Sequence, residues 1–404
     1  MCLAAIGIAV SRRSEDTTPS GGKPVSAVRG PGFNVLPASL ASRYHVPVVQ
    51  VDADRAVVFG GVKWDEKNLS VSNDGVIVDF AEKTSTVLAG PKLEGGVDGL
   101  VRARAAVSGT KVLFFGIACA SGPLPASFDG EGDVVDPCVD GPLVSTTLDM
   151  NTGAWTDPVT APASVVGNVR WIVNASVVGD TAVIESYETG RDTETFTAYD
   201  IPTGAWRALG SPPPGRLKDS CSTRTHVVQV TDDDWSESAG GVPPRPHLSL
   251  LDPNTGTWTW VAVPEQYGPA VGGLACTASH PVVYGTPTPS FKTVLFAYSP
   301  ADAKWRLLPA APRNLATAGF HNLSPTRFFG IDDVLVGWSD PSDLTTPRLT
   351  FQTIDLAQPA PRWAANATGP SSVAELATGY RGRGVAMARA GDALYRIIVG
   401  RNRG

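Results

Sequence analysis

Three near-identical segments constrain this chain more than any other feature: "DMNTGAW" from Asp149, "DIPTGAW" from Asp200 and "DPNTGTW" from Asp252. Each spells Asp, two residues, Thr-Gly, one residue, Trp. The tryptophans Trp155, Trp206, Trp258, Trp305 and Trp363 follow one another at intervals of 51, 52, 47 and 58 residues, the last two in looser copies of the unit. A further copy, "IVDFAEKTSTV", keeps Asp79 and has Val87 where the others have Trp. The chemistry is that of a hairpin. An Asp at a strand end accepts hydrogen bonds from the next backbone amides, Pro202 or Pro253 suits an early turn position, and Gly takes the left-handed conformation that leads back into the ladder. Trp then opens the next strand with a large apolar face to bury.

Two more strands precede each unit. "VPVVQVDADRAVVFGG", "RARAAVSGTKVLFFG", "WIVNASVVGDTAVIES" and "VAMARAGDALYRIIVG" each read as strand, short polar turn, strand. Apolar runs are short and bounded by Gly, Pro, Asp and Ser, and 42 Gly with 34 Pro supply turns throughout the 404 residues, so the chain reads as all-β. Four antiparallel strands in about 50 residues make the blade of a β-propeller, which buries its two faces only by packing between neighbours.

The double glycine Gly60-Gly61 after an apolar run, the later Asp and Trp, and the trailing "LPAAPR" at 308–313 resemble the kelch repeat, over roughly residues 24–400. The Asp and Gly are too far apart for a sialidase-type Asp box. The double glycine appears in the first blade alone, a departure from the pattern. The resemblance implies a kelch or galactose-oxidase-like propeller, a scaffold that hosts many unrelated activities. Six repeats are complete within the chain. The segments "PVSAVR" (24–29) and "FNVL" (33–36) lack partners at one end, as 378–400 does at the other, which predicts a seventh blade closed by both termini; six blades are the alternative. The expected division is an N-terminal segment 1–22 and one propeller domain 23–404.

Residues 2–10, "CLAAIGIAV", read as the tail of a signal peptide or membrane anchor. Export also accommodates the cysteines. Cys119 and Cys138 flank a long insertion that a disulfide would close. Cys221 and Cys276 hold the same register in adjacent inner strands as Val51, Ala106, Val177 and Ala388; they suit a crowded position as small residues, and a bridge between them is geometrically feasible. A net charge of −6 argues against a nucleic-acid partner, and no apolar run is long enough for a membrane-spanning helix.

In an up-and-down blade whose strands run a to d from the axis outward, the d-to-a and b-to-c connections share one end. The long connections fall there, and function on repeat scaffolds concentrates where loops vary. The expected ligand site at the channel mouth comprises Arg43, His45, Arg102, Arg104, Arg170, His321, Arg381 and Arg383, with Lys218 nearby. Such cations suit carboxylates or sulfates, and equally serve to tie blades together. Trp64, Trp235 and Trp338 lie outside the repeat and offer an aromatic platform for sugars. The function expected is a secreted or surface-held monomeric binding module for an acidic polysaccharide or a protein. The alternative is a carbohydrate-active enzyme, galactose-oxidase-like if copper is held. Tyr44 and His45 begin such a ligand set, but His226 and His280 fall near turns at the opposite end. No cofactor is expected: five His without ligand spacing do not support copper, and Asp232, Asp233 and Asp234 do not by themselves support Ca²⁺.

Overall fold

The computed structural model describes residues 43–44, 46–52, 54–64, 68–79, 81–82, 84–93, 97–120, 124–125, 138, 141–167, 169–188, 194–214, 216–232, 246–264, 273–285, 293–312, 327–339, 350–364, 385–390 and 393–398. Among them are seven four-stranded antiparallel sheets, six of which are blades in the order a-b-c-d. Blade 1 comprises Val48–Gln50, Arg55–Phe59, Asp74–Asp79 and Thr84–Ala89, and blade 2 Val97–Ser108, Lys111–Ala120, Leu143–Asp149 and Val159–Thr160. Blade 3 comprises Val169–Val178, Thr181–Glu188, Glu194–Asp200 and Trp206–Ala208, and blade 4 Arg216–Ser222, Val227–Asp232, Pro246–Asp252 and Thr257–Ala262. Blade 5 comprises Gly273–Cys276, Pro281–Gly285, Val294–Ser299 and Lys304–Leu307, and blade 6 Arg327–Ile331, Val334–Ser339, Thr350–Asp355 and Trp363–Ala364.

The molecule is therefore an all-β propeller with six complete blades among the described residues. These six blades match the alternative reading; the expected seventh blade is not shown, and beyond the six stands a two-stranded hairpin, Val385–Ala390 with Ala393–Ile398, whose first strand neighbours strand a of blade 1. The segments 24–29 and 33–36 that would complete it, and the N-terminal segment 1–22, lie outside the described residues.

The repeated unit behaves as its chemistry requires. The Asp149 carboxylate accepts from the amides of Asn151 and Thr152, Asp200 from Thr203, and Asp252 from Asn254. Gly153, Gly204 and Gly256 hold φ of 69°, 71° and 72°. In blade 5 the equivalent residue is Ala303, held at φ 51°, where a Cβ is strained. Ala303→Gly is expected to raise stability by about 1 kcal/mol, read as a higher midpoint of thermal or denaturant unfolding; an unchanged or lower midpoint would count against this account of the turn.

Each tryptophan packs between blades, Trp155 on Phe59 and Phe114 and Trp258 on Phe196. Its indole also reaches the preceding blade in three cases: Trp155 Nε1 donates to Ala89, Trp258 to Gly210 and Trp363 to Pro309. In these three blades a single Trp thus supplies both apolar area and a directional tie to the preceding wedge.

Both cysteine pairs are bonded. Cys119–Cys138 has its Cα atoms 5.5 Å apart, and Cys221–Cys276 joins the inner strands of blades 4 and 5 with Cα atoms 5.7 Å apart. Two disulfides fit an extracellular protein. No helix among the described residues is long and apolar enough to cross a membrane.

Candidate site at the loop-bearing end

The b-to-c connections all emerge at one end of the ring, and over blades 1 and 2 they build a further sheet. Arg43–Tyr44, Val62–Trp64, Asn68–Val71 and Leu124–Pro125 pair in that order, combining a strand before the first blade, the b-to-c connection of blade 1 and the insertion of blade 2. The Cys119–Cys138 bridge closes the loop that carries Leu124–Pro125. The sequence does not announce this sheet, because its strands are two to four residues long and belong to three separate connections.

Arg43 belongs to that sheet. It is 1% exposed, pairs with the Asp74 carboxylate at 2.7 Å, and donates to the backbone carbonyls of Gly60 and Asp74. Arg104 is likewise tied to backbone, its Nε donating to the Val173 carbonyl of blade 3 at 2.9 Å. These two act as fasteners between elements. His45, Trp235, His321, Arg381 and Arg383 lie outside the described residues. Arg170, Trp64 and Trp338 sit in strands, and their side chains lie outside the described set, as does that of Lys218.

Arg102 differs. Strand a of blade 2 carries a bulge between Val101 and Arg104, and Arg102 there adopts φ 52°. Strand a of blade 3 is bulged between Val169 and Trp171, and the Arg102 guanidinium stands 4.9 Å from the centroid of the Trp171 ring. Strand a of blade 4 is likewise bulged, between Leu217 and Asp219. Bulges re-aim side chains, and a non-glycine residue at positive φ costs of order 1 kcal/mol or more that surrounding structure must sustain.

Between blades 3 and 4 the packing changes character along the strands. Near the tight-turn end Val178, Val183, Phe196, Val227 and Leu251 form an apolar cluster. Toward the loop-bearing end the residues facing the same gap become polar: Asn174 and Ser176 follow Val178 on one strand, Glu185 and Tyr187 follow Val183, and Glu194 follows Phe196 on blade 3. Across the gap, Gln229 and Thr231 follow Val227, and Ser249 and His247 follow Leu251. The fully buried Gln229 is the hub. Its Nε2 donates to Glu185 Oε1 at 3.3 Å and to Glu194 Oε2 at 2.9 Å, while the Tyr187 hydroxyl donates to Glu194 Oε1 at 2.8 Å. Asn174 Nδ2 donates to the Ser220 hydroxyl across the same gap.

Burial, then the negative charge of Glu194, push the Glu185 carboxyl up to about 7, against hydrogen bonding from Ser220 and Gln229 that favours the ionised form. The unfolded carboxyl titrates near 4.5. Below that pH both states hold the proton and folding is not penalised. As pH rises from 4.5 to about 7 the unfolded chain releases its proton and the folded chain retains it, so stability falls, levelling out above 7. In chelator-treated protein, Glu185→Gln is expected to remove this fall and to be the more stable form above pH 7, by up to about 3 kcal/mol for a shift of this size. Parallel pH profiles of denaturation midpoint for the two proteins would refute the assignment.

Two features fell outside the sequence reasoning. One is this polar layer: a Glu or Gln inside a strand of one sequence carries no sign of what it faces. The other is Trp260, 53% exposed on the outermost strand of blade 4 with the His247 ring 4.1 Å from it. His226 and His280 occupy a-to-b turns, where each backbone amide donates to Thr223 or Thr277. Among the described residues no three His, Cys, Asp or Glu come together in a way that could hold a metal.

No protein-family model matches the chain, and no curated protein matches it in sequence. Among solved structures it is similar to the sialidase of Trypanosoma rangeli, with a TM-score of 0.42 at 11% identity, covering 81% of this chain and 58% of that one. The same sialidase in complex with the inhibitor DANA gives 0.42 at 10%, covering 80% and 58%. The chain thus spans less than two thirds of the length of these enzymes, and identity at this level carries no residue-by-residue correspondence.

Proposed function

We propose that the protein is an extracellular propeller with kelch-like blades that binds an acidic polysaccharide at its loop-bearing end, where the inner strands of blades 2 to 4 meet. The observation that carries this reading is the pair of bulged inner strands that bring Arg102, at positive φ, against Trp171. A guanidinium held beside an indole combines the donors that pair with a carboxylate or sulfate and the flat apolar face that packs on a sugar ring. The backbone strain at Arg102 supports a functional role, since a glycine there would relieve it.

The test is a binding array of uronate-containing and sulfated glycans alongside neutral ones, repeated at raised ionic strength and with Arg102→Gly. Binding of acidic glycans that weakens with salt, and weakens at least tenfold in a variant at least as stable as the parent, is the expected result. No glycan binding, or equal binding by the variant, would reject the reading.

One observation favours a second reading, a carbohydrate-active enzyme: two carboxyl groups, Glu185 and Glu194, lie in unlike environments on adjacent strands, the arrangement by which glycosidases divide acid from base. Glu185 is 2% exposed, so the seam between blades 3 and 4 would have to open before a sugar reached it. Arg102 is also largely covered, at 8% exposed, but lies beside the half-buried Trp171 at the loop-bearing end. Release of reducing sugar from a polysaccharide bound on the array would decide for the enzyme.

A further inference from the structure

The polar layer between blades 3 and 4 contains more oxygen than its own hydrogen bonds use. Among the described residues, the buried side-chain atoms there without a partner are Glu185 Oε2, Gln229 Oε1, Thr231 Oγ1 and Ser249 Oγ, and every one is an oxygen. Their residues are at most 3% exposed, and Gln229 and Ser249 are fully buried. Ser249 stands directly opposite Gln229 in the strand register, and Thr231 lies two residues along on the same face. The Gln229 amide is anchored by its nitrogen to both Glu185 and Glu194, which leaves its carbonyl oxygen as a spare acceptor beside two carboxylates.

Leaving four buried polar atoms unmatched is costly, and each calls for a partner. The Thr231 and Ser249 hydroxyls can donate as well as accept, but the Gln229 carbonyl and, above pH 7, the Glu185 carboxylate have no proton to offer, so a partner that draws on the lone pairs of all four and offsets the charge of two carboxylates on neighbouring strands must be a cation. Oxygen-only donors with two carboxylates are the ligand chemistry of a hard divalent cation, and Ca²⁺ tolerates the irregular geometry that strands of two blades impose. We infer that the seam between blades 3 and 4 is a Ca²⁺ site, in which Glu185, Glu194, Gln229 Oε1 and the hydroxyls of Ser249 and Thr231 bind the ion. The ion would join strands b and c of blade 3 to strands b and c of blade 4, as the Cys221–Cys276 bridge joins blade 4 to blade 5. This site is separate from Arg102 and Trp171 and does not depend on the glycan reading.

The experiment is calorimetric titration of chelator-stripped protein with CaCl₂ at a pH above 7, with thermal unfolding in parallel and Tb³⁺ luminescence as an optical reporter through the Tyr187 ring. The expected result is one ion per chain, a raised unfolding temperature in Ca²⁺ over EDTA, and Tb³⁺ emission that Ca²⁺ competes away. Ser249→Ala should fold normally and bind Ca²⁺ at least several-fold more weakly, and Glu185→Gln should abolish the thermal response. An unfolding temperature indifferent to Ca²⁺ with no Tb³⁺ emission would mean that ordered water fills the layer, and would overturn the inference. So would a Ca²⁺ response that both variants keep, since the ion would then lie elsewhere.

Discussion

Replacing Cys221 and Cys276 together by alanine lowers the free energy of unfolding by about 4 kcal/mol, the value expected on the loop-entropy account for a bridge closing a loop of 55 residues. The bridge spans blade 4 entirely: strand a of that blade carries Cys221, strands b, c and d follow, and Cys276 is on strand a of blade 5. It adds a covalent tie between two inner strands that are otherwise held by apolar contacts, among them those of Val228, Val230, Leu274 and Val283, and by the Leu274 amide donating to the Asp219 carboxylate. The alanine pair removes only the two sulfur atoms, at positions that are not fully buried, so the loss measures chiefly the covalent tie. The Cys119–Cys138 bridge closes 19 residues and its removal costs about 3 kcal/mol on the same account, with loosening confined to the sheet over blades 1 and 2. Guanidinium unfolding under oxidising conditions gives both values. A Cys221/Cys276 double variant within about 1 kcal/mol of the parent would show that packing alone sets the spacing of the inner strands.

What was legible in the chain follows from how locally each feature is encoded. Asp149, Gly153 and Trp155 lie within seven residues, so the turn, the left-handed glycine and the buried indole could all be read from one segment. Cys221 and Cys276 became readable as a pair only after the repeat aligned them, since register in a propeller turns distance along the chain into adjacency in space. The cations were less readable. Arg43, Arg102 and Arg104 look alike as residues near the start of an inner strand, yet Arg43 is buried on Asp74, Arg104 grips the Val173 carbonyl and Arg102 stacks on Trp171. Which of these an arginine does depends on a bulge or an accessory strand, and neither leaves a local sign. The polar layer was least readable: Glu185 and Gln229 are 44 residues apart on different blades, and each taken alone looks like a solvated strand residue.

Among the described glycines, Gly330→Ala is expected to be the most damaging added methyl. Gly330 lies in the inner strand of blade 6, against the inner strand of blade 5, and a Cβ built on it meets the carbonyl oxygen of Cys276, that residue's carbonyl carbon at 2.6 Å and the Cα of Thr277 at 2.7 Å. All three are backbone atoms, so no rotamer change can make room. The strand they belong to cannot retreat: Cys276 is paired with Pro281 in the blade 5 ladder and bonded to Cys221 on its other side. Overpacking a core against movable side chains costs about 1–3 kcal/mol, and a clash with a tethered backbone should exceed the top of that range. Gly109→Ala is the matched control. Gly109 sits at φ 57° with nothing within 4 Å of an added Cβ, so it should lose only the roughly 1 kcal/mol of a left-handed alanine. The mechanism makes one further demand. If the disulfide is what stops the blade 5 strand from yielding, Gly330→Ala must cost less in the Cys221→Ala/Cys276→Ala background, a coupling of the kind that neighbouring sites show and distant ones do not. Additive losses would mean that the ladder alone holds Cys276 in place, and a small loss in the parent would mean that the inner strands are not packed backbone to backbone at all.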